Sequence, residues 1–166
     1  MTERKGQKPV FVNGIPEQPI RINLSLQSVN KAIETAKSLK PFLVAGKVWS
    51  TFSPRGEVEV KGAVLYENRV ISVIEFDPKN GQVLPKGYHP FGYKIGISLE
   101  KIQTEMPNII KELDLLNGAE YREPEYCWII PLSYKGMIVA HVKVYYDGIH
   151  VVPDYKAEAE MKAFAK

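Results

Sequence analysis

The stretch MIVAHVKVYY, residues 137–146, decides the fold. Successive side chains of a strand point to opposite faces, so Ile138, Ala140, Val142, Val144 and Tyr146 share one side while His141, Lys143 and Tyr145 share the other. The first side is apolar enough for a core and the second is wet. That division predicts an antiparallel sheet covered by helices on a single face.

The surroundings repeat the theme. YCWIIPLSY (126–134) precedes the stretch across Lys135-Gly136, and IHVV (149–152) follows it across Asp147-Gly148. An earlier block, FLVAGKVWSTF (42–52), VEVKGAVLY (58–66) and VISVIEF (70–76), is joined by SPRGE and ENR, which are connections of hairpin length. Each block follows an amphipathic helix. In residues 25–40 Leu26, Val29, Ile33, Ala36 and Leu39 recur at helical spacing behind Ser25 as N-cap. In residues 98–118 Leu99, Ile102, Met106, Ile109, Ile110, Leu113 and Leu116 do so, with Asn117-Gly118 as C-cap and a kink or break expected after Pro107.

Ser25 recurs as Ser98, Asp77 as Asp147 and Pro85 as Pro153, at offsets of 73, 70 and 68 positions. Helix then meander comes round twice. The expected fold is α+β: two helix-plus-antiparallel-β-meander repeats with the helices packed on one face of the sheet. The divisions are an N-terminal tail (1–19), a first repeat (20–87), an aromatic, Gly-rich linker (88–97), a second repeat (98–153) and a C-terminal helix (154–166) capped by Asp154.

Asp77 in IEFDPKNGQVLPKG (74–87) invites a metal or catalytic reading. An EF-hand beginning there needs oxygen donors at its third and fifth places and a carboxylate at its twelfth, where Lys79, Gly81 and Tyr88 stand. Asp77 is read instead as a turn residue, with Pro78 presetting a corner and Asn80 and Gly81 tolerating positive φ.

The run VISVIEFDPKNGQVL, with Asp77, Gly81, Val83 and Leu84 after a hydrophobic strand, resembles the closing hairpin of PepSY domains. The resemblance covers most of residues 25–85 and loosely 98–153. It implies a non-catalytic module that binds or restrains other proteins.

In the linker, Tyr88, His89, Phe91, Tyr93 and Lys94 crowd into seven residues. Rigid rings give contact area with little entropy lost, so these are the candidate binding residues; the competing role is to plug the seam between the repeats. Gly87 and Gly92 are spaced as in a phosphate-binding loop, but Tyr93 stands where that loop requires Lys. A second constellation, His141, Asp147 and His150, flanks the last hairpin and is the candidate pocket of a small enzyme or ligand-binding protein.

The three histidines lack metal-ligand spacing, and no GxSxG elbow or HExxH helix occurs, so neither a metal, a cofactor nor a catalytic residue is assigned. Glu57, Glu59 and Lys61 share one strand face and read as a solvated edge. A net charge of +3 with scattered cations argues against nucleic acid, for which Lys47, Trp49 and Lys61 are the remaining candidates. Only Arg4, Lys5 and Lys8 bunch together.

No run reaches the roughly 18 apolar residues of a membrane span, and no signal peptide is evident, so a cytoplasmic location is expected. Cys127, a lone cysteine in an apolar run, reads as buried filler. The function expected is binding or regulation through a protein or peptide partner, a second copy paired at a sheet edge included.

Overall fold

The computed structural model describes residues 8–14 and 25–165. Arg4, Lys5 and the expected start of the first repeat at residue 20 lie outside the described residues.

The chain is α+β. A short strand β1 (Val10–Phe11) is followed by α1 (Leu26–Lys37) and a meander of β2 (Val44–Phe52), β3 (Val58–Tyr66) and β4 (Arg69–Phe76). Then come α2 (Leu99–Lys111), short strands β5 (Asp114–Leu115) and β6 (Glu120–Arg122), and a second meander of β7 (Cys127–Tyr134), β8 (Met137–Tyr145) and β9 (His150–Val152). Helix α3 (Tyr155–Phe164) closes the described chain.

Two sheets result. The first has the order β2-β3-β4, antiparallel throughout. The second has the order β1-β9-β8-β7-β5, with β6 also on β7; all its pairs are antiparallel except β1 with β9. The segment expected to be a tail thus contributes an edge strand through Val10 and Phe11.

The sheets meet along a seam where β4 runs beside β8. The Asp154 amide donates to the Val70 carbonyl at 2.8 Å, and Ser72 Oγ donates to the His141 carbonyl at 2.6 Å. The Lys86 amide donates to the Ile138 carbonyl at 2.9 Å. A single core spans the seam, with Ile74 and Phe76 from one sheet in the same cluster as Ile130 and Val142 from the other.

Each helix covers the sheet of the other half. Helix α1 lies on β5, β7, β8 and β9, whereas α2 lies on β2 and β3. Helix α1 forms because Ser25 and Ser28 make a reciprocal capping box, and it buries Ala32 and Ala36. Thr35 Oγ1 donates to the Gly148 carbonyl at 2.6 Å, tying α1 to the turn between β8 and β9. Helix α2 buries Ile102, Met106, Ile109 and Ile110, and each such side chain is worth about 1.5–3 kcal/mol when fully removed from water.

Helix α2 runs through Pro107 without a break and stops at Glu112, whose amide donates to the Ile109 and Ile110 carbonyls. The helical spacing through Leu116 is misleading, because Leu113 and Leu115 are both buried at the period of a strand. Helix α3 departs from the one-face arrangement. Its Ala157 and Met161 pack with Trp49, Ala63 and Val70 in a separate small cluster on the face of the first sheet opposite α2.

The alternation in 137–146 holds for Ala140, Val142 and Val144, which are buried. It fails at Ile138, which is 47% exposed while Val139 is 2% exposed. A register shift between Leu132 and Ser133 places Ile138 opposite Ser133 and lets Val139 face the core.

Candidate functional site

The stretch that invited a metal reading is a turn. The Lys79 amide donates to Asp77 Oδ1 at 2.8 Å, the Gly81 amide donates to the Asp77 carbonyl at 2.8 Å, and the Asp77 amide donates to the Gln82 carbonyl at 2.8 Å. Gly81 carries the positive φ, +76°, which Asn80 does not share. Among the described residues no group of three His, Cys, Asp or Glu side chains could hold a metal ion.

Beyond this hairpin runs the linker, held at three points. The Tyr88 amide donates to the Pro85 carbonyl, the Val58 amide donates to the Gly92 carbonyl, and the Gly96 amide donates to the Pro78 carbonyl. Gly96 sits so close to the hairpin turn that a Cβ there would lie 2.9 Å from the Lys79 carbonyl oxygen.

The fixed backbone carries free rings: Tyr88 is 56% exposed, Phe91 73% and Tyr93 65%, so they do not plug the seam. His89 and Lys94 are exposed as well, and His89 Nδ1 lies 3.0 Å from Glu75 Oε2. Phe52, also exposed, stands opposite Val58, the residue that Gly92 binds, so the apolar surface extends past the linker onto the end of β2.

The second constellation divides. Asp147 Oδ1 accepts from the Ile149 and His150 amides, and Asp147 Oδ2 lies 2.6 Å from His150 Nδ1. This pair rigidifies the turn from β8 to β9. His141 lies away from it, because β9 pairs with β8 only at Lys143 and Val144.

His141 instead lines a cleft of about 260 Å³ at the seam, with Lys61, Ser72, Glu75, Lys86, Asp154, Lys156 and Glu160. Burial, then the charges of Lys86, Lys143 and Arg122, push His141 down to about 4, while Glu125 opposes them, so the imidazole is neutral at pH 7. Burial also pulls the Lys86 ammonium below its ordinary value against the attraction of Glu75, with Arg122 adding to the fall.

Lys61, expected on a solvated edge, lies on the central strand of its sheet and donates to Glu160 at 2.8 Å; Trp49 Nε1 donates to the same oxygen at 2.9 Å. Burial works against both charges of the pair, but their hydrogen bond and mutual attraction win, so Lys61 is raised and Glu160 lowered. Lys61 and Trp49 are thereby held under α3, and Trp49 is only 1% exposed.

No spacing in the sequence announces this cleft, whose walls come from β3, β4, the segment after β4, β8 and the first turn of α3. Besides His141, named as a pocket candidate, a further signal was a polar residue, Ser72, inside an apolar strand. Among the described residues no helix is long and apolar enough to cross a membrane. No family model, curated protein or solved structure matches the chain.

Proposed function

We propose that the chain is a non-catalytic binding or regulatory module that captures a protein or peptide through its aromatic linker. One observation carries this reading: Tyr88, Phe91 and Tyr93 are each more than half exposed on a backbone pinned to the rest of the fold. Exposed rings on a fixed loop contribute little to folding, whereas in an interface they bury large area with few torsions to immobilise. The resemblance of residues 70–84 to a PepSY hairpin supports the same reading, since the linker docks on that hairpin.

Sheet-edge pairing is the less favoured mode of contact on β2. Gln103 Oε1 accepts from the Val48 amide and its Nε2 donates to the Gly46 carbonyl, so α2 already occupies that edge at its bulge.

The test is a pull-down with the wild type and the Phe91→Ala/Tyr93→Ala variant, paired with thermal melts. Loss of a captured partner with an unchanged melting temperature supports the reading. Equal capture by both proteins, or a collapse of the melt, contradicts it.

A further inference from the structure

The cleft at the seam has an imbalance between the groups that are already satisfied and those that are not. All three of its carboxylates are engaged: Glu160 by Lys61 and Trp49, Glu75 by His89, and Asp154 by the Ala157 amide at 3.0 Å. Ser72 Oγ is used as well, on the His141 carbonyl.

Among the described residues neither the Lys86 nor the Lys156 ammonium has a hydrogen-bond or ion-pair partner, and neither does the His141 ring. The unspent groups are therefore two ammoniums and a neutral imidazole, reaching the cleft from the segment after β4, from the first turn of α3 and from β8.

We infer that this cleft is a binding site for a small molecule bearing one carboxylate, held between Lys86 and Lys156 with His141 as a further hydrogen-bond partner. Both lysines are exposed side chains at the mouth of the cleft, and an anion there gains a charge-assisted hydrogen bond from each ammonium. The first turn of α3 adds the favourable end of its dipole, and among the described residues the Tyr155 and Lys156 amides donate to no group.

Lys61, Lys86 and Lys156 face Glu75, Asp154 and Glu160, so the wall is neutral overall; the attraction is local to the two unpaired ammoniums, and each negative charge beyond the first adds repulsion from the three carboxylates. Among the described residues no Arg lines the cleft, so the bidentate fork that fixes a planar anion elsewhere is replaced here by point charges from two directions. The site stands apart from the linker: none of Tyr88, Phe91 or Tyr93 lines it, and either assignment fails without the other.

The experiment is an amide NMR titration of the full chain with sodium acetate at pH 7 and constant ionic strength, against sodium chloride. Saturable shifts of the Lys86, His141 and Lys156 signals are expected with acetate alone. Lys86→Met is expected to weaken acetate about tenfold, the value of one charge-assisted hydrogen bond. Lys156→Met, at an exposed helical position, is expected to weaken it similarly and guards against a folding defect at position 86. Non-saturating shifts, equal shifts in chloride, or undiminished binding by Lys156→Met would overturn the site. Tighter binding of inorganic phosphate than of acetate would overturn the single-charge assignment.

Discussion

Met106 Sδ occupies the space in which a side chain on Gly62 would begin: a Cβ at Gly62 would lie 2.7 Å from it. The contact fixes α2, from the second half of the chain, against the middle of β3, from the first half. The Phe76 ring lies 3.0 Å from the same point and both Gly62 and Met106 are buried, so the end of the Met106 side chain has little free room into which to turn. Gly62→Ala is expected to destabilise the protein by about 1–3 kcal/mol through overpacking. Met106→Ala in the same chain is expected to recover part of the loss, and a double-mutant cycle read by urea denaturation measures the coupling.

The strands were legible because two independent signals agreed on them. Alternation marked the buried side of 137–146, apolar runs marked 58–66 and 70–76, and short polar connections such as SPRGE and ENR marked the turns between strands. The exchange of helices was not legible. An apolar stripe such as Ile102, Met106 and Ile109 asks for a sheet but does not say which, and neighbouring order in the chain suggested the wrong one.

Ile138 shows a smaller version of the same limit, since a bulge moves a residue across the sheet without leaving a mark in composition. The linker rings were found as a dense cluster of one residue type. The cleft was not, apart from His141, because Lys61, Lys86 and Lys156 become neighbours only through β4, β8 and α3.

Glu160 is expected to be the most sensitive polar residue of α3. Its side chain is 15% exposed and accepts from both Lys61 and the buried Trp49 indole. Glu160→Ala leaves the indole N–H without its acceptor and the Lys61 ammonium with Glu59 alone, at 3.4 Å, a loss of about 1–3 kcal/mol. A fall in melting temperature of roughly 2–4 °C per kcal/mol follows for a chain of this size. Glu160→Gln keeps an acceptor for Trp49 and is expected to fall between wild type and Ala in the same melt.

Cys127 is expected to be inert while the protein is folded. The thiol is fully buried, and burial together with the nearby Glu125 charge pushes it up to about 12, against the pull of Lys143. The thiolate is the reactive form, so at pH 8 a thiol reagent such as 5,5′-dithiobis(2-nitrobenzoate) is expected to label the native chain at a rate limited by unfolding, and the chain in urea within seconds to minutes. Fast labelling of the native chain would show that β7 opens far more readily than its packing between β6 and β8 implies.

The last prediction concerns acid. His141 titrates at about 4 in the folded chain, against 6.5 for an unperturbed histidine. A group whose folded value is depressed binds more protons when unfolded, so its contribution is intact above pH 6.5 and is lost as pH falls towards 4. The cause is the cleft: burial first, then Lys86, Lys143 and Arg122 opposing a further positive charge, with Glu125 alone favouring it.

Glu125, Glu158 and Glu160, held below the usual carboxylate range, lose their contributions progressively from about pH 5 downward, and because His141→Gln keeps all three, the difference between the two proteins isolates the histidine. Between pH 6.5 and 5 the wild type is expected to lose stability relative to His141→Gln by on the order of 1 kcal/mol per pH unit or less, measured by urea denaturation at each pH. Parallel curves for the two proteins across that window would mean that the imidazole gains its proton without cost, and hence that it is far better solvated than its burial beside Lys86, Lys143 and Arg122 implies.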